Sequence, residues 1–218
     1  MVAMGVSVEQ DHIVYIVDDD RRIRESLSEL LSSFDMHAVA FGSAADYLAY
    51  PKPDVPACLV LDVELPDING LDLQSQIARD AHPQIVFITG HGDIPSSVRA
   101  MKAGAVDFLT KPFREADLMR AINAALVQNR DARHKRTELA DLQLRFSSLT
   151  PREREVLPLV VSGLLNKQAA AELGISEITL QIHRGNIMKK MRAGSLADLV
   201  RIAGALEIPL TRSRRSQK

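Results

Sequence analysis

The stretch ACLVLDVELPDING, residues 57–70, places an aspartate directly after an apolar run, and this run indicates the fold of the first half of the chain. Residues 58–61 lack the alternation of a half-exposed strand, so they predict a strand buried on both faces. Asp62 then stands at the edge of a core. Its carboxylate needs a compensating group, because burying an unpaired charge is costly.

Strand-like and helical patterns alternate over the first half of the chain. The strand-like runs are HIVYIV, HAVAF, CLVLD, IVFIT and VDFLT. Helical patterns cover roughly 21–32, 43–49, 70–79 and 94–103, and a fifth helix opens after Pro112. Five strands alternating with five helices predict an α/β domain, a doubly wound, flavodoxin-like (βα)5 parallel sheet covered on both faces. Such sheets bind ligands beyond the carboxyl ends of their strands.

A long helix is predicted to follow the fifth strand. Neither proline nor glycine occurs between Phe113 and Thr150, and the segment is rich in good helix formers. Its apolar residues lie near a heptad spacing that Asn129 and Arg136 interrupt, so we expect a solvated linker helix more than a partner-helix seam. The predicted divisions are a first domain, a helical linker and a second domain, at 12–128, 129–145 and 146–210.

The second domain has purely helical periodicity and is predicted to be an all-α unit of four helices. Thr150 and Glu153 match a capping box at the start of the first helix. The segments NKQAAAEL and EITLQIHRGNIMKKM supply the second and third helices, with Gly174 between them and Ser176 as the cap of the third. Two short helices joined by such a turn form a helix-turn-helix, whose second helix can enter a DNA major groove.

Charge is divided unevenly along the chain, although the net charge is only -1. Residues 1–129 hold 19 acidic and 10 basic side chains, net -9, and residues 130–218 hold 9 and 17, net +8. A basic half favours double-stranded DNA as a partner, whereas two solvated surfaces that differ by chance would give the same counts. No apolar run reaches the length of a membrane span, and Cys58 is the only cysteine, so we expect a cytoplasmic protein without a membrane partner.

Reactive side chains follow four of the predicted strands. Three aspartates, 18–20, follow the first strand, and Asp62, Thr89 and Lys111 follow the third, fourth and fifth. Singly, these residues are typical helix caps, Asx-turns or solvated side chains, but together at one sheet edge they favour a site. Clustered carboxylates suit Mg²⁺. With a metal, a lysine and a hydroxyl nearby, Asp62 can accept a phosphoryl group as an acyl phosphate.

The segments VDDD, LDVELPDING, TGHGDI and MKAGAVDFLTKPF resemble the motifs of response-regulator receiver domains, over roughly residues 12–128. The resemblance implies a sensor histidine kinase as the phosphodonor and a homodimer favoured by phosphorylation. It implies that Asp62 is the phosphoacceptor. It implies that Asp19, Asp62 and the backbone carbonyl of Glu64 bind Mg²⁺ directly and that Asp18 binds it through a water. Thr89 and Phe108 would be a switch pair, and Lys111, aimed by a cis bond to Pro112, would pair with the phosphate.

The segment LTPREREVLPLVVSGLLNKQAAAELGISEITLQIHRGNIMKKM resembles the LuxR-type helix-turn-helix of the NarL/FixJ response regulators, closest in motifs to the FixJ-, StyR- and TodT-like members. The resemblance implies a transcription regulator that works with RNA polymerase, with activation favoured and repression still open. On the third helix we expect Leu180, Ile187 and Met191 to face the core. We expect Gln181 to contact a base edge beside Arg184, and Lys167, Thr179, Lys189, Lys190 and Arg192 to contact phosphates.

Two other functions remain open on the sequence alone. An aspartyl-phosphate phosphatase or phosphotransferase would use the same carboxylates, although no substrate lid or second domain with a pocket is evident. A constitutive DNA-binding protein would carry a vestigial receiver, against which the complete set of strand-end residues argues. We therefore expect no enzyme beyond a receiver that catalyses its own phosphorylation and dephosphorylation. We also expect Glu64 and His91 to alter the lifetime of the acyl phosphate.

Overall fold

The computed structural model describes residues 12–77, 83–90, 92 and 94–210, and the chain forms two compact units that divide between His134 and Lys135. The first unit is an α/β sheet structure and the second is entirely helical among its described residues. The fold class predicted from the sequence is confirmed. His91 and the predicted end of the helix at 79 lie outside the described residues.

The first unit is built on one parallel sheet. Its strands are β1 (Ile13–Val17), β2 (Ala38–Phe41), β3 (Ala57–Asp62), β4 (Gln84–Thr89) and β5 (Asp107–Thr110). They lie in the order β2-β1-β3-β4-β5. The order reverses between β1 and β3, where Val17 pairs with Leu61, and Thr89 pairs with Thr110 at the other side of the sheet. The carboxyl ends of these strands therefore lie level along one edge, next to the switch point that such sheets use for binding.

Five helices follow the strands: α1 (Arg21–Ser33), α2 (Ala44–Ala49), α3 (Gly70–Ile77), α4 (Ile94–Lys102) and α5 (Glu115–Ser147). The predicted two-sided burial of β3 is present, because Leu59 and Leu61 pack into one apolar cluster whereas Cys58 and Val60 pack into another on the opposite face. The central strand therefore delivers Asp62 from the middle of the core to its edge.

Helix α5 is longer than a simple linker and is partly buried. Asn129, which interrupts the heptad pattern, is only 3% exposed, and its Oδ1 accepts a hydrogen bond of 3.0 Å from the backbone N–H of Ala57 at the start of β3. Leu142 packs in the core of the second unit. Its longest unbroken run of exposed residues is 134–140. Among the described residues, no helix combines the length and apolar character needed to cross a bilayer.

The second unit contains four short helices after the end of α5: α6 (Pro151–Val161), α7 (Asn166–Leu173), α8 (Glu177–Met191) and α9 (Leu196–Ala205). The predicted capping box is present between Thr150 and Glu153. Gly174 ends α7 in the left-handed conformation, with φ +65°, and the Ser176 side chain accepts from the N–H of Thr179 to start α8. The predicted core residues Leu180, Ile187 and Met191 are fully buried. The opposite face of α8 is therefore the one that it presents to solvent.

The hydrogen bond to Asn129 predicts a stability effect. Asn129→Ala removes the acceptor used by the buried N–H of Ala57, so we expect the first unit to lose about 1–3 kcal/mol of stability. Urea unfolding followed by amide hydrogen exchange in β3 would measure the loss. Asn123→Ala, at an exposed position of the same helix, is the matched control and should stay within about 0.5 kcal/mol of the parent. Equal stabilities of the two variants would contradict the prediction.

Candidate phosphoacceptor site and nucleic-acid interface

Lys111 connects two buried carboxylates at the carboxyl edge of the sheet. Its Nζ donates to Asp18 Oδ2 at 2.7 Å and to Asp62 Oδ2 at 2.6 Å. Asp18 is 0% exposed and Asp62 is 5% exposed, so both charges are largely removed from water. The three side chains come from the ends of three strands that are far apart in sequence. The structure thus brings together the predicted phosphoacceptor, one predicted metal-site carboxylate and the predicted phosphate-pairing lysine.

Asp18, Asp19 and Asp62 form a potential cation site. One carboxylate oxygen from each lies within 4.8 Å of the others. Asp19 is exposed, so the cluster is open to solvent on one side. The set of hard oxygen donors fits Mg²⁺, which takes one or two carboxylates and keeps several waters. These three residues could hold such an ion.

The aspartate run after β1 is fixed by its own backbone and by Arg24. Arg24 Nη1 donates to the backbone carbonyl oxygens of Asp18 and Asp19 at 2.7 and 2.9 Å. Asp18 Oδ1 accepts from the N–H of Asp20, whose side chain in turn accepts from the N–H of Arg22 and caps α1. One of the three aspartates therefore serves as a helix cap, and the other two point to the cluster.

The loop after β3 positions Asp62 through a glycine that the sequence interpretation missed. Asp62 Oδ1 accepts from the N–H of Glu64 at 3.1 Å, and the N–H of Gly70 donates to the carbonyl oxygen of Val63 at 2.8 Å. A Cβ on residue 70 would lie 2.3 Å from the backbone oxygen of Asp62. Only glycine fits this close approach. The signal was present in the sequence as the Asn-Gly pair after Asp67.

Burial and ion pairing act against each other on the pKa values of Asp18 and Lys111. Burial raises the pKa of Asp18, and its hydrogen bond to Lys111 offsets only part of that effect. Burial by itself would lower the pKa of Lys111, but the hydrogen bonds to Asp18 and Asp62 outweigh it and raise the pKa above its ordinary value. Lys111 is therefore held in its protonated, hydrogen-bond-donating form.

The predicted switch residues lie beside this cluster. Thr89 is fully buried at the end of β4, and its backbone oxygen accepts from the N–H of Lys111 at 2.7 Å. Phe108 is half-buried, and its ring centroid lies 6.0 Å from that of Phe87. The cis peptide bond between Lys111 and Pro112 is present as predicted. Glu64 has an exposed side chain at the rim.

Helix α8 presents a mixed apolar and polar face to solvent. Five of its exposed residues share one face at a helical spacing: Ile178, Gln181, Ile182, Gly185 and Lys189. Gln181, the predicted base reader, is exposed on this face. Thr179, in the first turn of α8, is also exposed, and its hydroxyl hydrogen-bonds to that of Ser176 at 2.8 Å.

The predicted DNA-contacting cations fall into two groups. Arg184 Nη1 donates to Asn166 Oδ1 at 3.0 Å, and Lys190 Nζ donates at 2.7 Å to a carboxylate oxygen of the buried Glu153. Burial would raise the pKa of Glu153, but the Lys190 ammonium and the N–H of Thr150 outweigh it and lower the pKa. These two cations therefore also hold α8 to its neighbours. The other three predicted cations, Lys167, Lys189 and Arg192, are exposed.

Comparison with known proteins matches each of the two units to a protein family. The family model "response regulator receiver domain" matches residues 14–123, and "bacterial regulatory proteins, luxR family" matches residues 147–203. Nodulation protein W of Bradyrhizobium diazoefficiens is 52% identical over 206 residues, which are 94% of this chain and 91% of that protein. Transcriptional regulatory protein FixJ of Azorhizobium caulinodans is 42% identical over 191 residues, with 87% and 90% covered. The solved structure of response regulator StyR superposes with a TM-score of 0.78 at 46% identity, covering 89% of this chain and 98% of that one.

The carboxylate cluster predicts that Asp62→Asn changes the stability of the first unit differently with and without Mg²⁺. Asp62→Asn removes one of two buried negative charges that share a single ammonium, so in EDTA we expect a first unit that is equally stable or more stable than the parent, by up to about 1 kcal/mol. Millimolar Mg²⁺ should raise the melting temperature of the parent, because an ion that binds only the folded state stabilises it, and should raise that of the variant much less.

Calorimetry of both proteins in EDTA and in Mg²⁺ measures this difference. Glu29→Gln, which removes an exposed carboxylate on α1, is the control and should keep the full response to Mg²⁺. The same Mg²⁺ stabilisation in the parent and in Asp62→Asn would show that the cluster does not hold the ion.

Proposed function

Because this chain belongs to the two-component response regulators, with a receiver domain and a LuxR-type DNA-binding domain, we propose that Mg²⁺-dependent phosphorylation of Asp62 by a sensor histidine kinase controls its affinity for DNA. The chain is a transcription regulator of that family, and its two matched domains are those of a regulator and not of an ordinary metabolic enzyme. The observation that carries the proposal is the Lys111 ammonium held between the buried carboxylates of Asp18 and Asp62.

The proposed reaction uses the carboxylate of Asp62 as a nucleophile. One of its oxygens attacks the phosphorus of a phosphohistidine on the kinase, an O–P bond forms, and the N–P bond breaks with its electron pair leaving on the imidazole. Lys111, 2.6 Å from Asp62, places a positive charge where the phosphoryl oxygens arrive. Any catalysis by this chain is confined to gaining and losing that phosphoryl group.

We propose that Asp19, Asp62 and the backbone carbonyl of Glu64 hold Mg²⁺ directly and that Asp18 holds it through a water. The support is the set of three carboxylate oxygens within 4.8 Å, open to solvent at Asp19. When bound, the ion neutralises charge on the transferring phosphoryl group. The chain's own part is to keep these residues fixed: Arg24 donates to the backbone carbonyls of Asp18 and Asp19, and the N–H of Glu64 donates to the carboxylate of Asp62.

The proposed switch links the acyl phosphate to a surface of the first unit. A phosphoryl group on Asp62 offers the Thr89 hydroxyl a strong acceptor, and movement of Thr89 leaves space for the half-buried ring of Phe108. Helix α4, next to β5, carries three exposed apolar side chains, at Ile94, Val98 and Met101. We propose that this face forms the homodimer and that phosphorylation shifts an existing equilibrium towards it.

The proposed partners of the second unit are double-stranded DNA and RNA polymerase, with activation as the favoured outcome, and a DNA partner supports a cytoplasmic location. We propose base contact by Gln181 and Arg184. We propose phosphate contact by Lys167, Thr179, Lys189, Lys190 and Arg192. Arg184 and Lys190 keep N–H groups beyond the ones that Asn166 and Glu153 use, because a guanidinium has five donors and an ammonium three.

We also propose that the chain divides into a receiver domain, a helical linker and a DNA-binding domain, at 12–128, 129–145 and 146–210. The boundary between the two compact units, after His134, falls inside the proposed linker. Family matches at 14–123 and 147–203 leave the same segment unassigned.

The proposed function predicts that a small phosphodonor strengthens DNA binding. With acetyl phosphate and Mg²⁺, the parent should bind a duplex selected from a random pool about tenfold more tightly, a usual size for coupling between two sites. Asp62→Asn should bind that duplex equally with and without the donor, and Glu29→Gln should respond as the parent does. Fluorescence anisotropy measures both. An undiminished response of Asp62→Asn would refute phosphorylation at Asp62, and a parent that ignores the donor would favour a vestigial receiver.

The exposed carboxylate of Glu64 predicts an effect on the lifetime of the acyl phosphate. It stands two residues after Asp62, where it can repel or position an attacking water, so we expect Glu64→Ala to change the dephosphorylation rate about threefold or more, the size of a modest electrostatic effect. Loss of radioactive phosphate from the purified phosphoprotein gives the rate. Equal rates for Glu64→Ala and the parent would remove this role. The predicted contribution of His91 lies outside the described residues.

A further inference from the structure

Two isoleucines lie exposed on the helix that would enter the DNA groove. Ile178 is 73% exposed and Ile182 is 59% exposed, one helical turn apart on α8. Large β-branched side chains prefer burial, and the same helix buries Leu180 and Ile187 completely on its other face. The exposed pair is therefore an apolar surface next to Gln181 that the fold of the second unit does not use.

A glycine on the same face indicates close approach from outside. Gly185 lies in the interior of α8, where glycine is the least favourable residue apart from proline. A Cβ at this position would meet no atom within 4 Å among the described residues, and the backbone is helical, so neither packing nor φ requires glycine here. The two apolar side chains are thus followed, one turn later, by a residue without a side chain, with the exposed Asn186 next to it.

The charges around this face fit a polyanion. Lys189 lies on it, and Lys167 on α7 and Arg192 at the end of α8 are exposed. Glu177, in the first turn, is the one acidic residue in the sequence of α8. The partner must therefore combine negative charge with small apolar groups. In a major groove, the C5 methyl of thymine is the apolar group that base edges present.

We infer that Ile178 and Ile182 read thymine methyl groups, and that Gln181 between them reads an adenine, so that each half-site contains a short A·T-rich core. This inference rests on the proposed function, since it names the bases that the DNA-binding helix recognises. Glutamine pairs with adenine through N6 and N7, and the adenine's partner base carries the methyl. The three side chains therefore read features of the same base pair or of adjacent ones.

The helix spacing sets the spacing of the thymines. Side chains four residues apart on a helix have Cβ atoms about 5–6 Å apart, whereas successive bases on one strand rise about 3.4 Å. Ile178 and Ile182 therefore contact methyl groups one or two base steps apart. Gly185 then lets the helix backbone approach the next pair without a side chain between them.

The experiment removes the methyl groups from the DNA and the isoleucines from the protein, one at a time. The full-length chain with acetyl phosphate and Mg²⁺ first selects duplexes from a random pool. Each thymine of the selected half-site is then replaced by uracil, which keeps base pairing and loses only the methyl. For the parent we expect one or two positions at which uracil weakens binding about three- to fivefold, the size of one lost apolar contact.

Each isoleucine variant should lose the uracil penalty at the thymine that its isoleucine contacts. Ile182→Ala should therefore bind the thymine and uracil duplexes equally at one position, and Ile178→Ala should do so at the neighbouring position. Leu144→Ala, which truncates a side chain of α5 that is 71% exposed, should keep the full uracil penalty. Lys167→Ala should weaken binding to thymine and uracil duplexes equally and reduce the salt dependence.

Three results would overturn the inference. These are selected half-sites without thymine, a parent whose binding is not weakened by uracil, and a uracil penalty that persists in both isoleucine variants. If the isoleucine variants instead change the oligomeric state of the free protein and not its response to uracil, this face is a protein interface. Failure of the proposed function gives different results. If the phosphodonor leaves binding of the selected duplexes unchanged, phosphorylation control fails and the inference can still be tested. If the chain selects no duplex, the inference fails as well.

Discussion

The arrangement of the first unit depends on one ammonium group that neutralises two buried carboxylates. Lys111 holds Asp18 and Asp62 at hydrogen-bond distance, and it ties together the ends of β1, β3 and β5. With Asp19, the cluster carries three negative charges and one positive charge, a formal sum of -2 that a divalent cation would neutralise. A phosphoryl group on Asp62, as we propose, would add charge in a partly dehydrated place, where hydrogen-bond donors would have to move to meet it.

Elements far from the cluster keep this edge in place. The two-sided burial of β3 sets the depth of Asp62, the glycine at 70 lets the following loop pass within contact distance of it, and Asn129 on α5 anchors the opposite end of the same strand. A strand fixed at both ends has little freedom to relax. The proposed switch therefore acts through the neighbouring loop and Thr89 more than through the sheet itself.

The DNA-binding helix separates structural and recognition tasks by face and by residue type. Leu180, Ile187 and Met191 fix its position in the core, and Lys190 adds an ion pair to a glutamate that also caps α6. The solvent side of the helix carries the apolar side chains of Ile178 and Ile182 together with two exposed amides, Gln181 and Asn186. Such a face favours contact with thymine methyl groups and base edges, while the exposed Lys189 on the same face can meet phosphates.

The sequence alone determined the order and type of the elements, the sheet edge on which the reactive residues meet, the capping box at Thr150 and the core face of α8. Periodicity and local hydrogen bonding are properties of neighbouring residues, so they can be read from the chain. It did not determine the long-range partners of polar groups: that Lys190 pairs with Glu153, and that Asn129, at the start of the proposed linker, is buried against β3 instead of solvated. Those partners lie up to 72 residues apart, and only tertiary packing decides which polar group a buried atom meets.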